Sequence, residues 1–301
     1  MKAILLDSVR NSTEAVCAAV MERLRSDYDL RTTMENILAL FTAKCLPDFR
    51  VQFYEMQSQW HDVSAVNSVL KTTLPEEIAK DTSIKLDISD KTSKEDMETR
   101  VILCSDFTLN FLVSWPLTLV IQSDHMDTYS KIWKFLIVAN HSQYLLTNIT
   151  LSEIKQLPDG LLRGRAYQLR LEMLYFINCI LSAIYQELSI QVLTVDSVIE
   201  AKDLNSAVKA HNDLSKTLLA VCLQDSRLDL INKPILKILD LIRKLHQLLK
   251  LQQLSQSSAE AILKEFQQCQ MFIVSLLKMS KKTSKTAHLL YDMLSFSEPS
   301  S

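Results

Sequence analysis

Only two of the 301 residues are glycine, Gly160 and Gly164, and that scarcity disfavours whole classes of fold. Phosphate-cradling loops, dinucleotide-binding turns and tight β-hairpins need glycine for positive φ or for close approach of the backbone. Gly160 and Gly164 can supply neither G-x-G-x-x-G nor G-x-x-x-x-G-K-[ST], so nucleotide-binding folds of those types are not expected. A chain of rods is. Residues 165–193 run for twenty-nine positions without Gly or Pro. Along them Leu169, Met173, Phe176, Ile177, Ile180, Ile184 and Leu188 recur at three- and four-residue steps, which stacks them on one side of a helix. Leu171, Leu174, Tyr175 and Leu181 lie off that stripe, and a helix apolar nearly all round is expected to be surrounded by neighbours. This stretch is read as the buried spine of an all-helical protein.

Apolar residues make up 48% of the chain, which marks globular material, and the length allows one domain or two. A net charge near -2 gives no global reason to expect nucleic acid or an anionic membrane as partner. The longest apolar run, 111–121, is interrupted by Ser114, Pro116 and Thr118 and is too short to span a bilayer. The N-terminus, a lone Lys2, a brief apolar stretch and then Asp7, makes a poor secretory signal. Cys17, Cys45, Cys104, Cys179, Cys222 and Cys269 form no C-x-x-C pair and read as reduced thiols of a cytosolic or nuclear protein.

In chain order, Asn11 with Glu14 and Thr32 with Glu35 have capping-box spacing and are expected to open the first two helices, the second stopped by Pro47. Two shorter helices follow, near 48–60 and 63–71, and Pro75 closes an N-terminal group over 1–75. Residues 76–100 carry eight acidic and five basic side chains and read as a surface connection with one short strand, a disordered acidic binding arm being the functional alternative. Phe107, Leu109, Phe111 and Val113 alternate as in a half-buried extended segment, so 76–122 joins the first group to a second over 123–296. There Ser123, Asp124 and Asp127 suit a helix start, with Tyr129, Ile132, Trp133, Leu136 and Tyr144 facing inward. Asp203 caps a helix after the spine, Pro234 opens another, Ser257 with Glu260 forms a third capping box, and 283–294 is the last helix before a polar tail.

The run 109–146 resembles the signature of the gamma-tubulin complex components: a hydrophobic strand, then W-P-L at Trp115, Pro116 and Leu117, then Y-x-x-(I/V)-F-x-(F/Y)-L. The last is matched from Tyr129 to Leu136, with Trp133 where the family usually has Phe. R-x-x-M-x-x-F is matched by Arg170, Met173 and Phe176, and A-K-D-(L/F) followed by A-H by 201–204 with Ala210 and His211. Ser182 and Ala183 stand where a Tyr pair is common, and Leu214 replaces an aromatic, which marks a divergent member.

The resemblance covers 1 to about 297, leaving 298–301 as tail. It implies the family's C-terminal domain: all-α, an elongated stack of helical bundles with at most a short extended segment near 84–113. It further implies a non-enzymatic scaffold that binds gamma-tubulin and supports microtubule nucleation in the cytoplasm, at the cytoskeleton and centrosome. Other complex components would be met through the family's N-terminal half, which has no counterpart here and whose absence suggests a piece of a longer protein. Neither a cofactor nor a metal is implied.

His61, His125, His141, His211, His246 and His288 have no H-x-x-x-H partner and no cysteine at metal-ligand spacing. His211 belongs to the family motif and is expected to orient a helix contact. Ser123, Asp124 and His125 are too close in sequence to form a triad on one helix. Cys179, mid-spine, reads as an inert buried thiol, and Lys278, Lys281, Lys282 and Lys285 as a solvated helix end. For contact with gamma-tubulin the expected residues are Arg163, Arg165 and Arg170, whose charge suits an acidic partner, with Gln168 and Glu172 on the polar side of the spine. The alternative function is a helical-repeat adaptor that binds peptides or helices in a groove, although no period of about 30 to 45 residues supports it.

Overall fold

The computed structural model describes residues 2–42, 46–79, 84–88, 102–280 and 285–295. The described chain is all-α apart from one antiparallel pair of strands. The elements are α1 (Lys2–Ser26), α2 (Leu30–Phe41), α3 (Pro47–Glu55), α4 (Val63–Thr73), the short α5 (Glu76–Ala79), β1 (Lys85–Ile88) and β2 (Phe107–Asn110). Then come α6 (Ser123–Thr147), α7 (Leu151–Lys155), α8 (Gly160–Val192), α9 (Asp196–Ile199), α10 (Leu204–Val221), α11 (Asp229–Lys250), α12 (Gln256–Ser280) and α13 (Lys285–Ser295). Cys45, Lys281, Lys282, residues 80–83 and 89–100 of the charged stretch and the tail 298–301 lie outside the described residues.

Two compact units form, Met1–Lys134 with Leu188–Leu219, and Phe135–Glu187 with Ala220–Ser301. They differ from the expected sequential groups 1–75 and 123–296 because α6, α8 and α10 each contribute residues to both.

The first unit is built around aromatic rings. Phe53 lies 5.2 Å from Phe49, 4.9 Å from Trp60 and 5.1 Å from Phe107, the last edge-on. Offset and edge-on pairs of this kind add about 0.5–1.5 kcal/mol each beyond area burial. Trp60 satisfies its buried indole N–H on the Phe53 carbonyl at 2.8 Å. The strands pair with Leu86 opposite Leu109 and Ile88 opposite Phe107. Asn67 of α4 fixes β1 on its other side, accepting from Leu86 N and donating to Leu86 O, both at 2.8 Å, as a neighbouring strand would. Leu86 and Phe107 are fully buried, so this part of the expected surface connection is core. Arg25 at the end of α1 donates to the carbonyls of Ile199 and Ala201, and so ties α1 to the chain after α9.

The second unit packs along α8. All seven stripe residues from Leu169 to Leu188 are buried, the first six of them in this unit, and Phe176 meets Phe266 of α12 edge-on at 5.8 Å. Tyr175 donates its hydroxyl to the Met293 carbonyl of α13, and Ile231, Ile235, Ile238, Ile242, Leu245 and Leu249 form the buried face of α11. The spine is not sheathed all round: Leu171 is 59% exposed and Tyr175 43%. By length and apolarity the helical stretch Gly160–Ile199 could cross a bilayer, but 56% of its most apolar window is buried in the protein's own core.

Several helix starts differ from expectation. The first helix is already under way at Lys2, so Asn11 and Glu14 are ordinary helical positions. The second helix is capped by Asp29, which adopts φ 47° and accepts from Thr32 N, and the role expected of Thr32 passes to the residue three earlier. Pro47 opens a helix, the N1 position being one where its missing N–H costs nothing. Ser255 rather than Ser257 takes the amide of Ser258 at the start of α12, and Pro234 lies inside α11. The cap at Asp203 is as expected, accepting from Ser206 N at 2.9 Å.

Candidate interaction surface

After β2 the chain stops pairing and turns, and the W-P-L triplet divides between inside and outside. Pro116 and Leu117 are buried, the Trp115–Pro116 peptide is cis, and Leu117–Leu119 form a single 3-10 turn. Trp115 points outward, 75% exposed, with Leu112 69% and Leu119 37% exposed beside it in sequence. The Trp115 indole is therefore at the surface. The loop around it has a fixed base. Leu119 N bonds Pro116 O at 3.0 Å, Ile121 N bonds Leu117 O at 2.9 Å, and Val120 and Ile121 are buried.

That base is held by a lock of histidines. The Val120 carbonyl can only accept, so His211 of α10, at 3.0 Å, carries its proton on Nδ1. Its Nε2 then accepts from the Tyr129 hydroxyl of α6 at 2.7 Å. His125 is set the other way: its Nδ1 accepts from Gln122 N at 3.1 Å, so Nε2 carries the proton and donates to Asn212 Oδ1 at 3.0 Å. The two imidazoles lie 3.8 Å apart, and both are buried. Burial holds the His211 pKa down to about 4, with the neighbouring His125 also disfavouring charge, against the Val120 hydrogen bond that favours it. Burial likewise pushes the Tyr129 phenol up. His211 is thus neutral at physiological pH, and every ring nitrogen of both histidines is engaged in a hydrogen bond.

His125 was not expected in this role. The signal was available: His125 and Tyr129 are four apart on α6 and so share a face, and that face meets His211.

On α8 the five expected contact residues separate into two sets. Arg163 donates Nε to Leu157 O at 2.9 Å, which closes the turn before the helix, and Arg170 donates Nε to Leu146 O at 3.0 Å. The second bond satisfies one of the orphan carbonyls at the C-terminus of α6, where a cation also suits the helix dipole. Arg165, Gln168 and Glu172 instead form a half-buried ladder along the helix, Arg165 to Gln168 at 2.9 Å and Gln168 to Glu172 at 2.7 Å. Met173 and Phe176 of the same motif are buried. Burial pushes the Cys179 thiol up, which suits an inert residue. Among the described residues no group of three or more His, Cys, Asp or Glu is placed to hold a metal ion.

One unit therefore carries an exposed indole on a hydrogen-bonded turn, and the other a half-buried polar ladder on α8. The family described as "Gamma tubulin complex component C-terminal" matches residues 2–298, and the chain belongs to that family. It is 23% identical over 91% of its length to gamma-tubulin complex component 5 of Macaca fascicularis, and 22% identical over 91% to that of Mus musculus. The chain spans 42% and 30% of the length of these two relatives.

Proposed function

We propose that this domain binds gamma-tubulin as part of a gamma-tubulin complex and so supports microtubule nucleation at the cytoskeleton and centrosome, without catalysing a reaction. The observation that carries the reading is the extent of the family match, residues 2–298, which takes in every described element. A scaffold of this kind works by entropy. Several gamma-tubulins held in fixed register have already lost the translational and rotational freedom that free subunits would lose on forming a first ring.

Within this reading Arg165, Gln168 and Glu172 form a polar part of the contact surface, whereas Arg163 and Arg170 are engaged by the backbone bonds they make. Purified domain and gamma-tubulin are expected to co-elute at micromolar concentration in low salt. Failure to co-elute would remove the reading for this domain. Arg165→Glu is expected to weaken the complex, and an unchanged affinity would take the ladder out of the contact surface.

A further inference from the structure

We propose that the loop carrying Leu112, Trp115 and Leu119 is an apolar anchor for gamma-tubulin on the first unit, with the Trp115 indole entering an apolar recess on the protein partner whose rim carries Lys or Arg side chains. The proposal rests on the binding reading above and adds the place and chemistry of the anchor.

Charge is the first ground. From Phe107 to Ser123 the chain contains no charged residue. Interface cores are depleted of charge and enriched in Trp, and the residues that dominate binding are drawn from such centres. A run of this kind is unremarkable when buried. Here it puts Leu112 and Trp115 more than two-thirds into solvent. The second ground is rigidity. Pro116, Leu117, Val120 and Ile121 are buried beneath the loop, and the His211 bond to Val120 O and the Gln122 bond to His125 clamp the chain that follows it. A large aromatic side chain on a fixed base loses little conformational freedom on docking, which is the cost that usually offsets burial.

The neighbouring charges choose between occupants. Asp124 and Asp127 are exposed on the first turns of α6, immediately after the loop. Lys85, whose strand position faces Asn110, is paired with Asp87 at 3.1 Å. The charged residues nearest the loop in sequence, Asp106 before it and Asp124 and Asp127 after it, are therefore all acidic, which opposes an anionic lipid surface and favours a protein recess with a basic rim.

The test measures gamma-tubulin affinity of the wild-type domain, Trp115→Ala, Leu112→Ser and the double variant Asp124→Lys/Asp127→Lys, each checked by its unfolding curve. Since the substituted side chains are exposed, unfolding midpoints are expected to stay at the wild-type value. Trp115→Ala is expected to weaken binding by about 30-fold, the effect of a hot-spot residue. Leu112→Ser is expected to weaken it less, and the double lysine variant to weaken it in a way that fades as salt is raised. If wild type binds and Trp115→Ala binds as tightly, the anchor is refuted and the binding reading survives. If wild type itself does not bind, both fall together. Sedimentation of wild type, but not of Trp115→Ala, with phosphatidylcholine/phosphatidylserine vesicles would overturn the protein recess in favour of a lipid surface.

Discussion

His211 makes the stability of the first unit depend on pH. In the unfolded chain an imidazole titrates near 6.5, and in the fold burial holds this one down to about 4. Between those values the unfolded chain takes up a proton that the folded protein refuses. Stability is therefore fully present above about pH 6.5 and is lost as pH falls toward about 4. One such group lowers the unfolding free energy by about 1.4 kcal/mol for each pH unit well inside that window, or about 2 kcal/mol between pH 7 and pH 5.

The three tryptophans, Trp60, Trp115 and Trp133, all lie in the first unit, two of them fully buried, so indole fluorescence in urea follows the unfolding of the part that contains His211. His211→Gln puts a neutral amide there. The variant is expected to be less stable at pH 7, because the bonds to Val120 and Tyr129 are made less well, but to lose about 2 kcal/mol less than wild type on going to pH 5. Comparing the two falls cancels the carboxylates and other histidines common to both chains. Equal falls in wild type and His211→Gln would falsify the exclusion of the proton from His211.

Three further outcomes follow from the same geometry. Gly164→Ala is expected to raise the melting temperature, worth about 0.4–1 kcal/mol, because the residue is helical and a Cβ there meets nothing within 4 Å. Trp60→Phe is expected to cost more stability in urea than Trp133→Phe: the Trp60 N–H is bonded to Phe53 O, whereas the buried Trp133 Nε1 finds no partner among the described residues, so losing it removes no hydrogen bond. Asn67→Ala is expected to destabilise the first unit by about 1–3 kcal/mol and to speed amide exchange at Leu86, because it removes both bonds that hold β1 from the α4 side. Unchanged exchange at Leu86 would show the strand pair to be self-sufficient.

Much of the fold was legible because helical periodicity is local. The α8 stripe, the Asp203 cap and the α4 span were read from spacing alone. What was missed depends on partners distant in sequence. Capping-box spacing recurs by chance on any polar helix face, so Asn11 with Glu14 looked like a helix start inside α1. The arginines of the α8 cluster looked like free charge because nothing in their local sequence says that Arg170 will meet Leu146 O, twenty-four residues earlier. Leu171 and Tyr175 looked buried because an apolar side chain reads the same whether its face is covered within the chain or exposed.

The anchor loop marks where pattern reading fails most instructively. Phe107, Leu109, Phe111, Val113 and Trp115 occupy alternate positions, and continuing that alternation would bury the indole with the rest. Alternation, however, is a property of extended backbone, in which successive side chains point to opposite faces. Pairing ends at Asn110, and burial follows parity through Phe107 and Leu109, weakens at Val113, and reverses at Trp115. By then the backbone is turning into Pro116 and the 3-10 turn, where parity carries no information. A side chain that matches the apolar pattern of a strand, but follows the strand's last hydrogen bond, is aimed by the turn and not by the core. Trp115 is exposed on that account, and an exposed indole on a rigid base has its largest energetic effect when a partner covers it.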